Sequence, residues 1–289
     1  MFHACSAAAV FGQSSATGNT IVGRNNDWAH DEEMDKWNAL FIFHNGEKSV
    51  AGNGLIGELF PTNVFNRHHV FGGSLDSYPA KKPSLPLKGM RSPTADLRCA
   101  IESSSTLADA EKFLSMSKYG TGEVILLADS KTAHVLEYDT SRPDGNRGRI
   151  RSASSRLIKG ESWNISNAIA SVNSFVLPGA FDNHNSDAHD KLRFRSFKNL
   201  FRSSLIQGPV GVKQMQGIMG YTSWDGCSGT SGALFRLDVK TGDEKDSATF
   251  QSLIMRMDTF ETWLAYSSHG ARWPYKPVYY KILDGDPFR

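Results

Sequence analysis

Three residues near the amino end have the right types to share one reaction: Cys5, Arg24 and Asp27. A cysteine attacks only as thiolate, and a neighbouring cation lowers its pKa. Arg24 can be that cation. Cys5 stands behind only Met1-Phe2-His3-Ala4. Cleavage of the Ala4–Cys5 bond would give Cys5 a free α-amine, a group that titrates at about 7.7–8.0. Such an amine acts as general base for the side chain of its own residue. Asp27 can hydrogen-bond the ammonium and hold it. Nucleophile, base and orienting carboxylate then come from one short stretch.

That stretch must fold back on itself to work. Ala7–Phe11 and Thr20–Val22 read as short strands, and the run Gln13–Asn19 between them is built of turn formers with Gly18-Asn19 at its tip. The pattern predicts a β-hairpin. It returns Arg24 and Asp27, just past the second strand, to the Cys5 end of the first.

A near-terminal Cys5-Ser6, the hairpin, and then Gly23-Arg24-Asn25-Asn26-Asp27-Trp28 resemble the cysteine N-terminal-nucleophile hydrolases of the choloylglycine hydrolase, penicillin V acylase and isopenicillin N acyltransferase type. The resemblance implies an α+β chain with two antiparallel sheets, stacked as a four-layer αββα sandwich. Strand counting alone gives only α/β or α+β. It also implies self-cleavage that removes residues 1–4, a single catalytic domain over 5–289, and no metal or organic cofactor. The substrate would be a small-molecule N-acyl amide, its acyl group passing to water or to a second amine.

The same resemblance extends to other site residues. Asn66-Arg67-His68-His69-Val70 sits where the family carries Asn-Glu-Lys-Gly-Leu, whose asparagine helps form the oxyanion hole. Arg67 and His69 depart from that pattern, which leaves Asn63 as an alternative. Asn173 and Arg193 match an asparagine at a strand end and an arginine opening a helix. In the family the first donates to the oxyanion and the second braces the site. Arg195 is the alternative to Arg193, and Ser174 stands where a relative has histidine.

The bulk numbers narrow the classes. With 39% hydrophobic residues in 289, the chain can bury a core and is not disordered. A net charge of +2 without a long basic block argues against a nucleic-acid partner. No run reaches the roughly 20 apolar residues of a membrane span. Cys5, Cys99 and Cys227 lack metal-ligand spacing and cannot all pair, so a reducing, cytoplasmic setting is expected. Homo-oligomers occur among the suspected relatives.

Along the chain, Ala39–Phe43, an Asn45-Gly46 turn and Lys48–Ala51 read as a second hairpin. Leu55–Phe60 reads as a buried strand and Pro61–Gly73 as irregular. Residues 78–93 read as a loop over the site. Helices are expected over Thr94–Ser103, from an N-cap at Thr106, over Lys191–Phe201 and over Val210–Gly220. Glu123–Ala128, Ala133–Tyr138, Arg149–Ile158, Ala233–Val239, Gln251–Met257, Phe260–Ser268 and Tyr279–Leu283 read as strands. Cys99 is expected in the core.

Competing sites are weaker. His68 and His69 are adjacent, so on a strand they point to opposite faces and cannot easily share an ion. Gly226-Cys227-Ser228-Gly229 is not the Gly-x-Ser-x-Gly elbow. A dipeptidase of the same nucleophile type would need a carboxylate for the substrate amine, from Asp31–Glu33 or Asp76. A binding protein on this fold would keep Met1–Ala4. Trp28, Phe65, Phe175 and Trp224 are candidates for an apolar acyl pocket or for core.

Overall fold

The computed structural model describes residues 5–29, 36–77, 88–142, 147–179, 183–222, 232–237, 247–267 and 274–289. Its strands form two antiparallel sheets. The six-stranded sheet runs β10-β1-β2-β11-β12-β13, with β1 Ser6–Val10, β2 Ile21–Ala29, β10 Ala168–Ser171, β11 Ser247–Arg256, β12 Thr262–Ala265 and β13 Tyr280–Leu283. The seven-stranded sheet keeps chain order: β3 Asn38–Phe43, β4 Val50–Leu55, β5 Asn63–Asn66, β6 Phe71–Ser77, β7 Gly122–Ala128, β8 Ala133–Tyr138 and β9 Gly148–Arg151. Among the described residues the helices are α1 Pro93–Ser103, α2 Leu107–Met116, α3 Ala188–Gln207 and α4 Val212–Met219, besides single turns at Gly12–Ser14 and Asn183–Ser186.

Strand alternation builds the layers. Ala7, Ala9 and Val22 of one sheet meet Phe65, Phe71, Val124 and Leu126 of the other in a shared core. The opposite faces pack on helices: Ala8, Val10 and Ile21 on Phe194, Phe197 and Met219, and Val64, Ile125 and Leu127 on Leu97, Ile101 and Leu114. The central strands of each sheet are buried on both faces, and those without site residues, such as β1 and β7, read as apolar runs. The result is the αββα order.

Local signals explain the helices. Ser92 caps α1 through its side chain, with Pro93 in the first turn. Thr106 and Asp109 form a reciprocal capping box on α2. Asp187 caps α3.

Several expectations are corrected. Leu55–Phe60 is not a buried strand; β4 takes the Gly52-Asn53-Gly54 run, and Ile56, Leu59 and Phe60 are exposed. The reason is close packing: a Cβ on Gly52 would lie 2.3 Å from Pro61, and one on Gly54 would lie 2.1 Å from Glu58. Pro61–Gly73 is not irregular, since it holds β5 and the start of β6. The strand expected over Arg149–Ile158 stops at Arg151, and residues 233–237 form none. Cys99 lies on the exposed face of α1.

Candidate active site

The β1–β2 ladder pairs Ser6 with Asn25 and Ala7 with Arg24. Arg24 and Asp27 are therefore inside β2 rather than beyond it. Alternation then sorts the side chains. Cys5 shares the face of Ala7 and Ala9, and Arg24 and Asn26 share the face of Val22, all toward the seven-stranded sheet. Asn25 points the other way, to the carbonyls of Met219 and Leu234.

Cys5 is buried, and its sulfur is met on three sides. Arg24 Nη2 approaches Sγ to 3.6 Å. The thiol itself faces Asn26 Oδ1 at 3.5 Å and the Asp27 carbonyl at 3.9 Å. Burial pushes the thiol pKa above its ordinary value. The Arg24 guanidinium pulls it down, and the carboxylates of Asp27 and Asp76 push it up. Arg24 is itself held: Nε and Nη2 both donate to the carbonyl of Ser74 on β6.

Asp27 is fully buried, and its Oδ1 accepts from Thr249 Oγ1 at 2.7 Å. A β-bulge at Phe250 sets this pair opposite each other, because Thr249 faces Asp27 while Gln251 already faces Asn26. Burial lifts the Asp27 carboxyl to about 6, against the pull of Arg236, the Thr249 bond, Arg193 and Arg24.

Arg193 ties the second half of the site to the first. From α3 its Nη1 donates to the Cys5 carbonyl at 2.7 Å, and Nη2 donates to Asn173 Oδ1 at 2.9 Å. Asp190, one turn earlier, accepts from the same guanidinium. Asn173 Nδ2 donates to the Asp76 carbonyl at 2.7 Å. Cys5, Arg24, Asp27, Asn173 and Arg193 thus form one connected cluster. Arg195 is exposed on the far side of its helix.

Asn66 does not join them, which corrects the expectation for it. Its Nδ2 donates to the carbonyls of Ile101 and Ser104, and its Oδ1 accepts from the backbone of His68 and Val70. It ties α1 to the β5–β6 turn. Asn63, three residues earlier and of opposite parity, faces the interior and donates to Gln251 Oε1 at 3.4 Å. His68 is exposed, whereas His69 stacks on Phe260 at 4.3 Å, so the two share no site. Asp31–Glu33, residues 78–87, Trp224, Cys227 and Ser228 lie outside the described residues. Phe65 and Phe175 are core.

Sequence reasoning missed Asn26, Ser74, Thr249, Asp190 and Arg236. A signal existed for Asn26, which follows Arg24 by one strand period. None existed for Ser74, which acts through its carbonyl. The carboxylates of Asp187 and Asp190 and the His189 ring lie within 4.8 Å of one another. Asp187 caps α3 and Asp190 holds Arg193, so this group is already employed.

No family model and no curated protein matches the chain. Solved structures do. An N-acylethanolamine-hydrolyzing acid amidase ortholog from Caenorhabditis elegans superposes with a TM-score of 0.58 at 12% identity, covering 88% of this chain and 93% of that one. A variant of the conjugated bile acid hydrolase from Clostridium perfringens gives 0.57 at 10%, covering 96% and 92%. Penicillin V acylase from Agrobacterium tumefaciens gives 0.53 at 13%, covering 96% and 86%. At these identities the likeness establishes the fold, the N-terminal-nucleophile hydrolase sandwich.

Proposed function

We propose that the chain is an amidase that cleaves a linear carbon–nitrogen amide bond through a Cys5 acyl-thioester. The observation that carries this is one cluster: Sγ lies 3.6 Å from Arg24, and the carbonyl of the same cysteine is gripped by Arg193. Three solved structures of this fold are named as amide hydrolases or acylases, which supports the reaction class.

Loss of Met1–Ala4 frees the α-amine. The amine takes the thiol proton, the thiolate attacks the amide carbonyl, and the proton passes to the leaving amine. Arg24 stabilises the thiolate, and Asp27 holds the ammonium. Asn173 keeps one amide hydrogen for the oxyanion while the other binds Asp76. Water, or a second amine, then attacks the thioester. No step calls for a metal or organic cofactor.

An apolar acyl group fits the surroundings. Asn26, which touches the thiol, also bonds Thr62 at 3.2 Å, and Thr62 ends the loop that exposes Ile56, Leu59 and Phe60. No helix among the described residues is long and apolar enough to cross a membrane. A dipeptidase reading has one observation in its favour: Asp76 is the half-buried residue of an otherwise buried β6.

The test begins with intact mass. Purified protein is expected to have lost residues 1–4 and to gain the mass of an acyl group when mixed with N-acyl amides. Cys5→Ala should retain residues 1–4 and stay unacylated. Retention of Met1–Ala4 together with a Cys5 inert to iodoacetamide refutes the reading and favours a binding protein. Faster turnover of dipeptides than of N-acyl amino acids selects the dipeptidase.

A further inference from the structure

Glu137 and Arg151 form a buried ion pair that the chemistry above does not use. Glu137 lies on β8 and Arg151 on β9, and the two are 3% and 1% exposed. Both share the face of Val135, which looks across to the six-stranded sheet. Arg151 Nε donates to Glu137 Oε1 at 2.8 Å. The remaining contacts leave their own sheet. Arg151 Nη2 donates to the carbonyl of Ala170 on β10 at 2.7 Å. Glu137 Oε2 accepts the backbone N–H groups of Val176 and Leu177 at 3.1 and 2.9 Å.

These anchor points bracket Asn173. Ala170 lies three residues before it and Val176 three residues after. β10 pairs with β1, Ala8 against Ala170, so the first anchor is tied to the strand that follows Cys5. Between the anchors the chain leaves the ladder. Asn173 itself bonds Asp76 and Arg193. Its neighbours are held at Ser171 by the β1 ladder, at Ser174 by His184 and at Val176 by the Ile158 N–H. Glu137 and Arg151 add anchors from the other sheet on both sides of it.

Sheet cohesion does not explain the pair. β8 and β9 are already joined by a backbone ladder. A buried ion pair is often no more stabilising than apolar residues of the same volume, because desolvation offsets the attraction. What the pair adds is a fixed path for a segment belonging to the other sheet.

We infer that Glu137 and Arg151 are positioning residues that set the place of Asn173 relative to Cys5. The inference rests on Asn173 being the oxyanion donor of the proposed amidase. Its distinguishing consequence is non-additivity: residues that act only through Asn173 lose their effect once Asn173 is gone.

The experiment uses the mature enzyme and a double variant, Glu137→Gln with Arg151→Met, which removes both charges and leaves an acceptor for one N–H. The expected result is a kcat reduced about 10- to 100-fold with KM within about threefold. The iodoacetamide rate at Cys5 should stay within about twofold, since Arg24 is untouched. Adding Asn173→Ala should bring kcat no lower than Asn173→Ala alone. Glu137→Asp keeps the charge but is one methylene too short for all its partners, and it should show the same split if the double variant does not fold. Unchanged kcat, a parallel fall in alkylation, or full additivity with Asn173→Ala overturns the inference. So does failure of both variants to fold, which makes the pair scaffold. Wild-type enzyme that is acylated by no amide sinks the amidase reading itself, a result separable from an active enzyme indifferent to this pair.

Discussion

Two hairpins face each other across the central core, and they serve the site in different ways. The β1–β2 hairpin supplies side chains: Cys5 at its entrance, then Arg24, Asn26 and Asp27. The β5–β6 hairpin supplies backbone. β5 begins only at Asn63, opposite Gly73. Beyond that point the edge of β6 keeps one backbone bond, from the Ser74 N–H to the Thr62 carbonyl, and has no strand beside it among the described residues. The Ser74 and Asp76 carbonyls on that edge accept Arg24 and Asn173 from the other half of the molecule. In the proposed amidase, one hairpin presents the chemistry and the other presents a rail that aligns it.

The comparison is broken most sharply at Arg24, which joins the two hairpins. Arg24→Met should lower kcat/KM by about 10³-fold or more, the scale of a lost charge-stabilising group in a dry site. It should also raise the thiol pKa, read from the pH dependence of iodoacetamide alkylation. A variant with unchanged alkylation would mean that the guanidinium serves only the rail.

Asn173 comes next, as the other side chain that grips β6. Asn173→Ala should reduce kcat by about 10²–10³-fold, or about 3–4 kcal/mol, with the Cys5 alkylation rate preserved. Equal losses in both would show that Asn173 supports the fold of the site rather than the oxyanion.

Asn66 tests the opposite side of the β5–β6 hairpin. Asn66→Ala strips partners from the Ile101 and Ser104 carbonyls and from two N–H groups. The Ile101 carbonyl keeps the Ser104 N–H and His68 is exposed, so two buried orphans remain, the Ser104 carbonyl and the Val70 N–H. The expected cost is about 2–6 kcal/mol of stability, at about 1–3 kcal/mol each. The kcat of the folded fraction should not change. A large kcat loss without a shift of the denaturation midpoint would restore it to the oxyanion.

The hairpins also differ in how far the sequence reveals them. The meeting of Cys5, Arg24 and Asp27 is legible because side chains with reactive groups announce themselves, and a turn-rich run shows how the chain returns. The alternating apolar runs likewise disclose most strands, and the capping residues disclose the helices. The rail is not legible, since every residue has a carbonyl and Ser74 resembles any other serine. Asn66 is expected at the site only through the family resemblance, with Asn63 as the alternative. Strand parity settles the matter: Phe65 faces the core between the sheets and Val64 faces α1, so Asn63 points inward and Asn66 outward. The Phe250 bulge that seats Thr249 against Asp27 leaves no compositional trace either.

Asp27 gives the smallest effect and the most specific one, because its side chain lies on the hairpin that bears chemistry yet touches no part of the rail. Its carboxyl titrates at about 6 in the folded chain, against 3.8 for an ordinary aspartate, with burial as the main cause. The folded state therefore holds this proton more tightly than the unfolded state. Stability linked to Asp27 is complete below pH 3.8 and is lost as the pH rises through about 6. The full swing is about 2–3 kcal/mol, at about 1.4 kcal/mol per pKa unit. Urea denaturation of the Cys5→Ala chain, which under the proposed self-cleavage should keep residues 1–4, should show a midpoint that falls over this window, and adding Asp27→Asn should remove that slope. The processed enzyme should differ, because an α-ammonium beside Asp27 favours the ionised carboxylate and moves the window down. If processed and unprocessed chains give the same slope, the ammonium does not lie against Asp27, and the carboxylate belongs with Thr249 as structure rather than with Cys5 as chemistry.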